Sequence, residues 1–250
     1  MIGDGDGGWG ARAVRAVRGH PAPVTYGVMI LCCVVFVTGP VSGLSPAHGT
    51  GERLLAAQEA HFARWGVVPA ELFRGSPRAA LTPATALFVH GGWLHLLGNM
   101  LFLHVFGAMT ERRLGRLRFA LFYLGCGYLA LLAYAAAHAT SEQTLVGASG
   151  AISAVLGAFL YLFPGARVTS LFPFLFFLPL RLPAWVVLPF WAALQWLAAS
   201  RAGQGPGVAY LAHVAGFCLG FLYAWVRTAG SGRRAARVKA PATAPEGEDP

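Results

Sequence analysis

Long uncharged runs dominate the chain, and they come in six blocks. Taking about 20 apolar residues per membrane crossing, the pattern predicts helices at roughly 24–43, 93–110, 118–138, 149–164, 183–200 and 207–227. The intervals between them differ in kind. Residues 44–83 carry Pro46, Pro69, Pro77 and Pro83 and an amphipathic stretch around Glu59 to Phe73, which suits a segment lying in the membrane interface. The run Leu171–Leu180 is apolar but short and broken by Pro173 and Pro179, so it is expected to be a re-entrant or interfacial piece leading into the fifth helix. Residues 230–250, rich in Arg, Ala, Pro and Glu, cannot bury a core and are expected to form a disordered tail. The chain thus divides into a cytoplasmic segment at 1–23, a membrane domain at 24–229 and a cytoplasmic tail at 230–250.

Composition agrees with this pattern. At 56% hydrophobic and 12% charged, the chain reads as an all-α polytopic membrane protein. The first span is read as a retained helix rather than a cleaved signal peptide, because five more follow it. No acidic residue lies within a long apolar run, which argues against an intramembrane aspartyl protease, a carboxylate proton relay and a metalloprotease with two His and a Glu on one helix. The net charge of +9 is spread over short loops, so nucleic acid is not an expected partner and the lipid bilayer is. Cys32, Cys33, Cys126 and Cys218 all fall in apolar runs without metal-ligand spacing, and neither a metal nor a cofactor is expected.

Charge also sets orientation. With six spans both termini share a side, and that side collects Arg12, Arg15, Arg18, Arg112, Arg113, Arg116, Arg118, Arg167, Arg181, Arg227, Arg233, Arg234, Arg237 and Lys239, against Arg53, Arg64, Arg74, Arg78 and Arg201 opposite. The positive-inside rule then places both termini in the cytoplasm. The second, fourth and sixth spans consequently run from outside to inside, so equal distances from their N-termini mean equal depths.

That depth rule gathers scattered polar residues. His95 and Asn99 are spaced i, i+4 on one face of the second span, roughly 3 and 9 Å below its start. Ser149 opens the fourth, and His213 lies roughly 9 Å into the sixth. Small residues flank both: Ser149, Gly150, Ser153, Ala154 and Gly157 form one stripe, and Ala209, Ala212, His213, Gly216 and Gly220 another. Such stripes let membrane helices approach closely. Taken singly, a Ser in a membrane helix usually bonds back to its own backbone, but an intramembrane His is a functional signal. The chemistry open to this set is acyl transfer, with His213 as the base that takes the Ser149 proton. No membrane carboxylate is present to orient the imidazole, so a Ser-His dyad is expected rather than a triad. Oxyanion donors are the side chains of His95 and Asn99 and the backbone N–H groups of Ala148 and Ser149, free at a helix N-terminus. Gly147 and Gly150 suit a tight turn and the approach of a substrate backbone.

These residues resemble the rhomboid family of intramembrane serine proteases, in its six-helix bacterial type. The resemblance rests on His90 followed by His95-x-x-x-Asn99, on Gly147-Ala148-Ser149-Gly150, on Ala212-His213-x-x-Gly216, and on Glu111-Arg112-Arg113-Leu114-Gly115 after the second span. It implies a bundle of six transmembrane helices with a water-filled cavity opening outward, in the cell membrane, cleaving membrane-protein substrates in or near their transmembrane segments. It assigns Ser149 as nucleophile, His213 as general base and acid, and His95 with Asn99 as oxyanion stabilisers. It further implies that substrate enters between the second and fifth spans, that the 44–83 loop embeds partly in the membrane, and that His90 bonds the loop above the site. One departure stands out: some rhomboids carry a Tyr one turn below the nucleophile, stacked on the catalytic His, and here the position is Ser153.

Two other classes compete. A non-catalytic relative that binds membrane helices for quality control would have lost the Ser or the His, and both are present. A transporter would carry polar residues into the inner halves of its spans, which here are almost wholly apolar. His104, about 13 Å below His95 on the opposite face, reads as a packing residue. Trp185, Trp191 and Trp196 fit either packing or a lateral gate. The sequence sets neither an oligomeric state nor a particular substrate.

Overall fold

The computed structural model describes residues 2–3, 21–172, 178–201 and 209–239. Its helices are α1 (Pro23–Thr38), α2 (Gly51–Trp65), α3 (Pro69–Phe73), α4 (Trp93–Leu114), α5 (Arg116–Ala137), α6 (Ser149–Leu162), α7 (Ala184–Arg201) and α8 (Tyr210–Lys239). The expected spans correspond to α1, α4, α5, α6, α7 and α8, and together they form a helical membrane bundle. Among the described residues, Trp93–Leu114, Arg116–Ala137 and Tyr210–Ala229 are long and apolar enough to cross a membrane, while α1 and α6 are shorter apolar helices. Large apolar side chains such as Ile30, Leu94, Leu121 and Val226 face outward, as a lipid-facing surface requires.

α6 is the axis of the bundle. Every residue from Gly150 to Phe159 is buried, enclosed by α4, α5, α7 and α8. Against α8 the approach is close because glycines alternate across the seam: a Cβ on Gly216 would run into the Gly150 carbonyl, one on Gly220 into that of Ala154, and one on Gly157 into that of Phe217. These are the two small-residue stripes, and they meet.

α4 contains a π turn at Leu103–Gly107, a helix irregularity that needs a packing reason. Gly107 lies there against Leu103 and Thr25, within 3.0 Å of where a Cβ would sit. At the far end of α4, Glu111 is buried and both its oxygens serve the start of α1. They accept the backbone N–H groups of Val24 and Thr25 at 3.0 and 2.7 Å and the Thr25 hydroxyl at 2.7 Å. A carboxylate is well placed there, because helix N-termini expose unsatisfied N–H groups and partial positive charge. His104 packs against Tyr26, ring centroids 6.0 Å apart.

Two segments take a backbone form that the apolar pattern did not specify. The segment around Leu171–Leu180, expected to be re-entrant or interfacial, contributes to a β-ribbon of β2 (Arg167–Phe172) and β3 (Leu178–Pro183), paired antiparallel with Val168 opposite Leu182 and Ser170 opposite Leu180; residues 173–177 lie outside the described ones. Pairing gives a stretch too short to span a membrane partners for its backbone groups. A two-residue strand, β1 (Ile2–Gly3), pairs with β2. The expected tail, in turn, begins as helix: α8 continues to Lys239, since Arg233-Arg234-Ala235-Ala236-Arg237 are good helix formers. Residues 240–250 and the expected start of the sixth span at 207 lie outside the described residues.

The 44–83 loop holds α2 and α3, and large apolar side chains of this region, Leu55, Trp65, Phe73 and Leu81, are exposed. It also anchors the chain that leads to α6. Val67 and Leu145 exchange two backbone hydrogen bonds, of 2.9 and 2.7 Å, and the Ala70 N–H donates to the Ser141 carbonyl at 3.0 Å.

Candidate active site

α6 begins immediately after a turn that only glycine adopts readily. Gly147 has φ +126°, outside the comfortable range of an L side chain, and its N–H donates to the Ala86 carbonyl at 2.9 Å. With the Val67–Leu145 pairing just upstream, the turn is held from two sides. Ala148 is the N-cap residue and Ser149 the first residue of the helix. N–H groups in that first turn have no intrahelical acceptor.

The Ser149 hydroxyl meets His213 of α8. Ser149 Oγ and His213 Nε2 are 2.8 Å apart, and the other ring nitrogen, Nδ1, lies 2.8 Å from Gln195 Oε1 on α7. An amide oxygen can only accept, so Nδ1 carries the proton and donates it to Gln195. Nε2 is then unprotonated and accepts the Ser149 hydroxyl. This is the tautomer a general base requires.

His95 approaches the same point from α4. Its Nδ1 accepts the Gly91 N–H at 3.3 Å, which leaves Nε2 as the protonated donor. A Cβ on Gly147 would fall 2.7 Å from that Nε2 and 3.8 Å from Ser149 Oγ, so the glycine is what lets the imidazole stand next to the hydroxyl. Asn99, one turn further along α4, donates to the His95 carbonyl at 3.0 Å and keeps a second amide hydrogen. Ser149, His213, His95 and Asn99 all line one cavity of about 760 Å³. Gly150 gives room to Ala130 of α5, 3.1 Å from where its Cβ would be, and Gly216 lets α8 close on α6.

His90 sits in the loop before α4. It is buried, its ring lies edge-on to His95 at 5.3 Å, and its Nδ1 is 3.3 Å from the Phe88 carbonyl. Burial first and the neighbouring His95 second push its pKa down to about 4, so at neutral pH it is uncharged, with Nδ1–H donating to Phe88. Among the described residues no group of three or more His, Cys, Asp or Glu could hold a metal ion.

Comparison with known proteins decides the family. The Rhomboid domain model matches residues 78–230, a stretch that contains every residue of this cavity. The chain belongs to the rhomboid family. Among similar proteins are the yeast Saccharomyces cerevisiae "Rhomboid protein 1, mitochondrial", 37% identical over 55% of this chain and 39% of its own length, and the Arabidopsis thaliana "RHOMBOID-like protein 6, mitochondrial", 29% identical over 55% and 42%. Arabidopsis "RHOMBOID-like protein 5" is 36% identical over 30% of this chain and 25% of its own length. The chain spans less than half the length of these relatives.

Two contacts on His213 in the rhomboid site are not marked by the sequence. Position 153, where some rhomboids stack a Tyr, is a Ser whose hydroxyl donates to the Ser149 carbonyl at 2.7 Å. The aromatic against His213 comes from α7 instead: Trp191 stacks at 6.2 Å and 28°, with Tyr210 edge-on at 6.3 Å. Gln195, one turn after Trp191, is the other. Its signal was a lone amide in the otherwise apolar run Ala184–Ala199.

Proposed function

We propose that this rhomboid is an intramembrane serine endopeptidase that hydrolyses peptide bonds in or near the transmembrane segments of membrane proteins through a Ser149-His213 dyad. The observation that carries the reading is the 2.8 Å contact between Ser149 Oγ and His213 Nε2. As Oγ attacks the scissile carbonyl, Nε2 takes its proton. The oxyanion forms beside His95 Nε2–H, the Asn99 amide and the backbone N–H groups of Ala148 and Ser149. His213 returns the proton to the leaving amine, and the acyl-enzyme is hydrolysed when the same imidazole deprotonates a water, which regenerates the Ser149 hydroxyl.

Location follows from length. The 14 residues of α6 extend about 21 Å, short of the roughly 30 Å hydrocarbon thickness. A hydroxyl at the end of such a helix can sit below the membrane surface and still meet water through the cavity. Away from Ser149 the core is apolar, filled by Leu156, Phe159, Phe106 and Phe163, which favours a closed reaction chamber over a transport pathway. The charge asymmetry supports both termini on the cytoplasmic side and the cavity open to the other, and the membrane proposed is the cell membrane. Substrate would enter laterally between α4 and α7.

The test is cleavage of single-span substrates by the purified protein in proteoliposomes, beside Ser149→Ala and His213→Ala. Cleavage lost in both variants supports the reading. Cleavage retained by either removes the dyad, and a wild-type protein that binds but never cleaves a broad substrate panel is a helix-binding module instead.

A further inference from the structure

His213 is held from two sides by one helix. Trp191 and Gln195 are spaced i, i+4 on α7, which puts them one above the other on the same face. The indole stacks on the imidazole and the carboxamide oxygen meets Nδ1 at 2.8 Å. The nucleophile's own helix offers no such support, because Ser153 spends its hydroxyl on the Ser149 carbonyl.

We propose that Gln195 is the positioning residue of the base, taking the place a carboxylate holds in a triad; the proposal rests on the protease reading of the same site. The chemistry is that of tautomer selection. A neutral imidazole carries its proton on either nitrogen, and only the Nδ1–H form leaves a lone pair at Nε2 for the Ser149 proton. An acceptor fixed against Nδ1 selects that form and sets the ring plane, as the buried aspartate does in a Ser-His-Asp triad. Once Nε2 has taken the proton, the imidazolium donates from both nitrogens, and the Gln195 oxygen dipole lies against the new charge. A neutral amide stabilises that charge less than a carboxylate would, so its contribution to rate is smaller than the roughly 10⁴-fold attributed to the aspartate. It also puts no acid into the membrane, where a carboxylate is costly.

The placement ties the base to α7. Ser149 and His213 belong to α6 and α8, whose glycine seam fixes them relative to each other, whereas ring orientation and tautomer depend on a third helix. Movement of α7 away from α8 releases Nδ1 and unstacks Trp191 in one step.

The test compares wild type with Gln195→Met, of similar length but without the amide oxygen, and Gln195→Glu, which keeps an acceptor. Two readouts are needed. In the first, kcat and KM are measured on a single-span substrate in proteoliposomes, where Gln195→Met lowers kcat about tenfold to a hundredfold with KM changed less than about twofold, and Gln195→Glu stays within about threefold of wild type. In the second, 15N solid-state NMR of His213 reports the Nδ1–H tautomer in wild type and a mixture containing Nε2–H in Gln195→Met. A Gln195→Met enzyme with wild-type kcat, a Glu variant as slow as the Met variant, or an Nε2–H tautomer in wild type overturns the positioning role. A wild-type protein that shows the Nδ1–H tautomer, shifted by Gln195→Met, but cleaves nothing sinks the protease reading and leaves the Gln195–His213 coupling standing.

Discussion

Gly157 of α6 lies against the backbone carbonyl of Phe217 on α8, with no room for a side chain between them. Gly216 and Gly220 make the reciprocal approach to Gly150 and Ala154. Ser149 and His213 ride on these two helices, so the separation of Ser149 Oγ and His213 Nε2 is set by the glycine seam.

Widening the seam should therefore cost both stability and chemistry. Gly216→Ala or Gly157→Ala is expected to lower stability by roughly 1–3 kcal/mol, the usual range for overpacking a close contact, and to slow cleavage as Ser149 and His213 separate. Gly125→Ala on α5, where a Cβ meets nothing within 4 Å, is the control and should leave both unchanged. Thermal unfolding in detergent beside a cleavage assay checks this, and an unaffected Gly216→Ala would contradict it.

Glu111 closes the start of α1 rather than serving the reaction. Replacing it with Ala strands two backbone N–H groups and the Thr25 hydroxyl, and the loss should be about 1–3 kcal/mol of stability per buried donor left without an acceptor. Glu111→Gln, which keeps one acceptor oxygen, should lose less. The measurement is again the unfolding midpoint. Equal stability of wild type and Glu111→Ala would show that the cap carries no weight.

Oxyanion stabilisation predicts a change in turnover with little change in binding. Asn99→Ala should reduce kcat roughly 10²-fold with KM nearly constant, because the donor engages the transition state rather than the ground state. Gly147→Ala should be at least as damaging, since its Cβ would press on the His95 ring and its φ of +126° strains an L residue. Steady-state kinetics in proteoliposomes separates the two parameters. A rise in KM alone for Asn99→Ala would argue that the amide merely binds substrate.

The sequence carried most of this arrangement for identifiable reasons. Apolar runs of membrane length mark α4, α5 and α8 directly, and orientation by charge turned the positions of His95, Asn99, Ser149 and His213 into a common depth; the four line one cavity. The small-residue stripes named the faces of α6 and α8 that meet. Gln195 escaped because α7 is apolar on every side, so no periodicity told which face would turn toward His213. Glu111 was legible as a turn residue but not as the cap of α1, a contact between residues 86 and 87 positions apart. The β-ribbon escaped because a short apolar run with two prolines resembles a re-entrant loop until its partner strand, beginning at Arg167, is known.

Activation of Ser149 by His213 is read out by treating the folded protein with a fluorophosphonate and mapping the adduct by mass spectrometry. A working dyad gives a covalent adduct on Ser149, absent in Ser149→Ala and formed at least about 10²-fold more slowly in His213→Ala. An adduct on another residue, or labelling of Ser149 at an undiminished rate in His213→Ala, would contradict it.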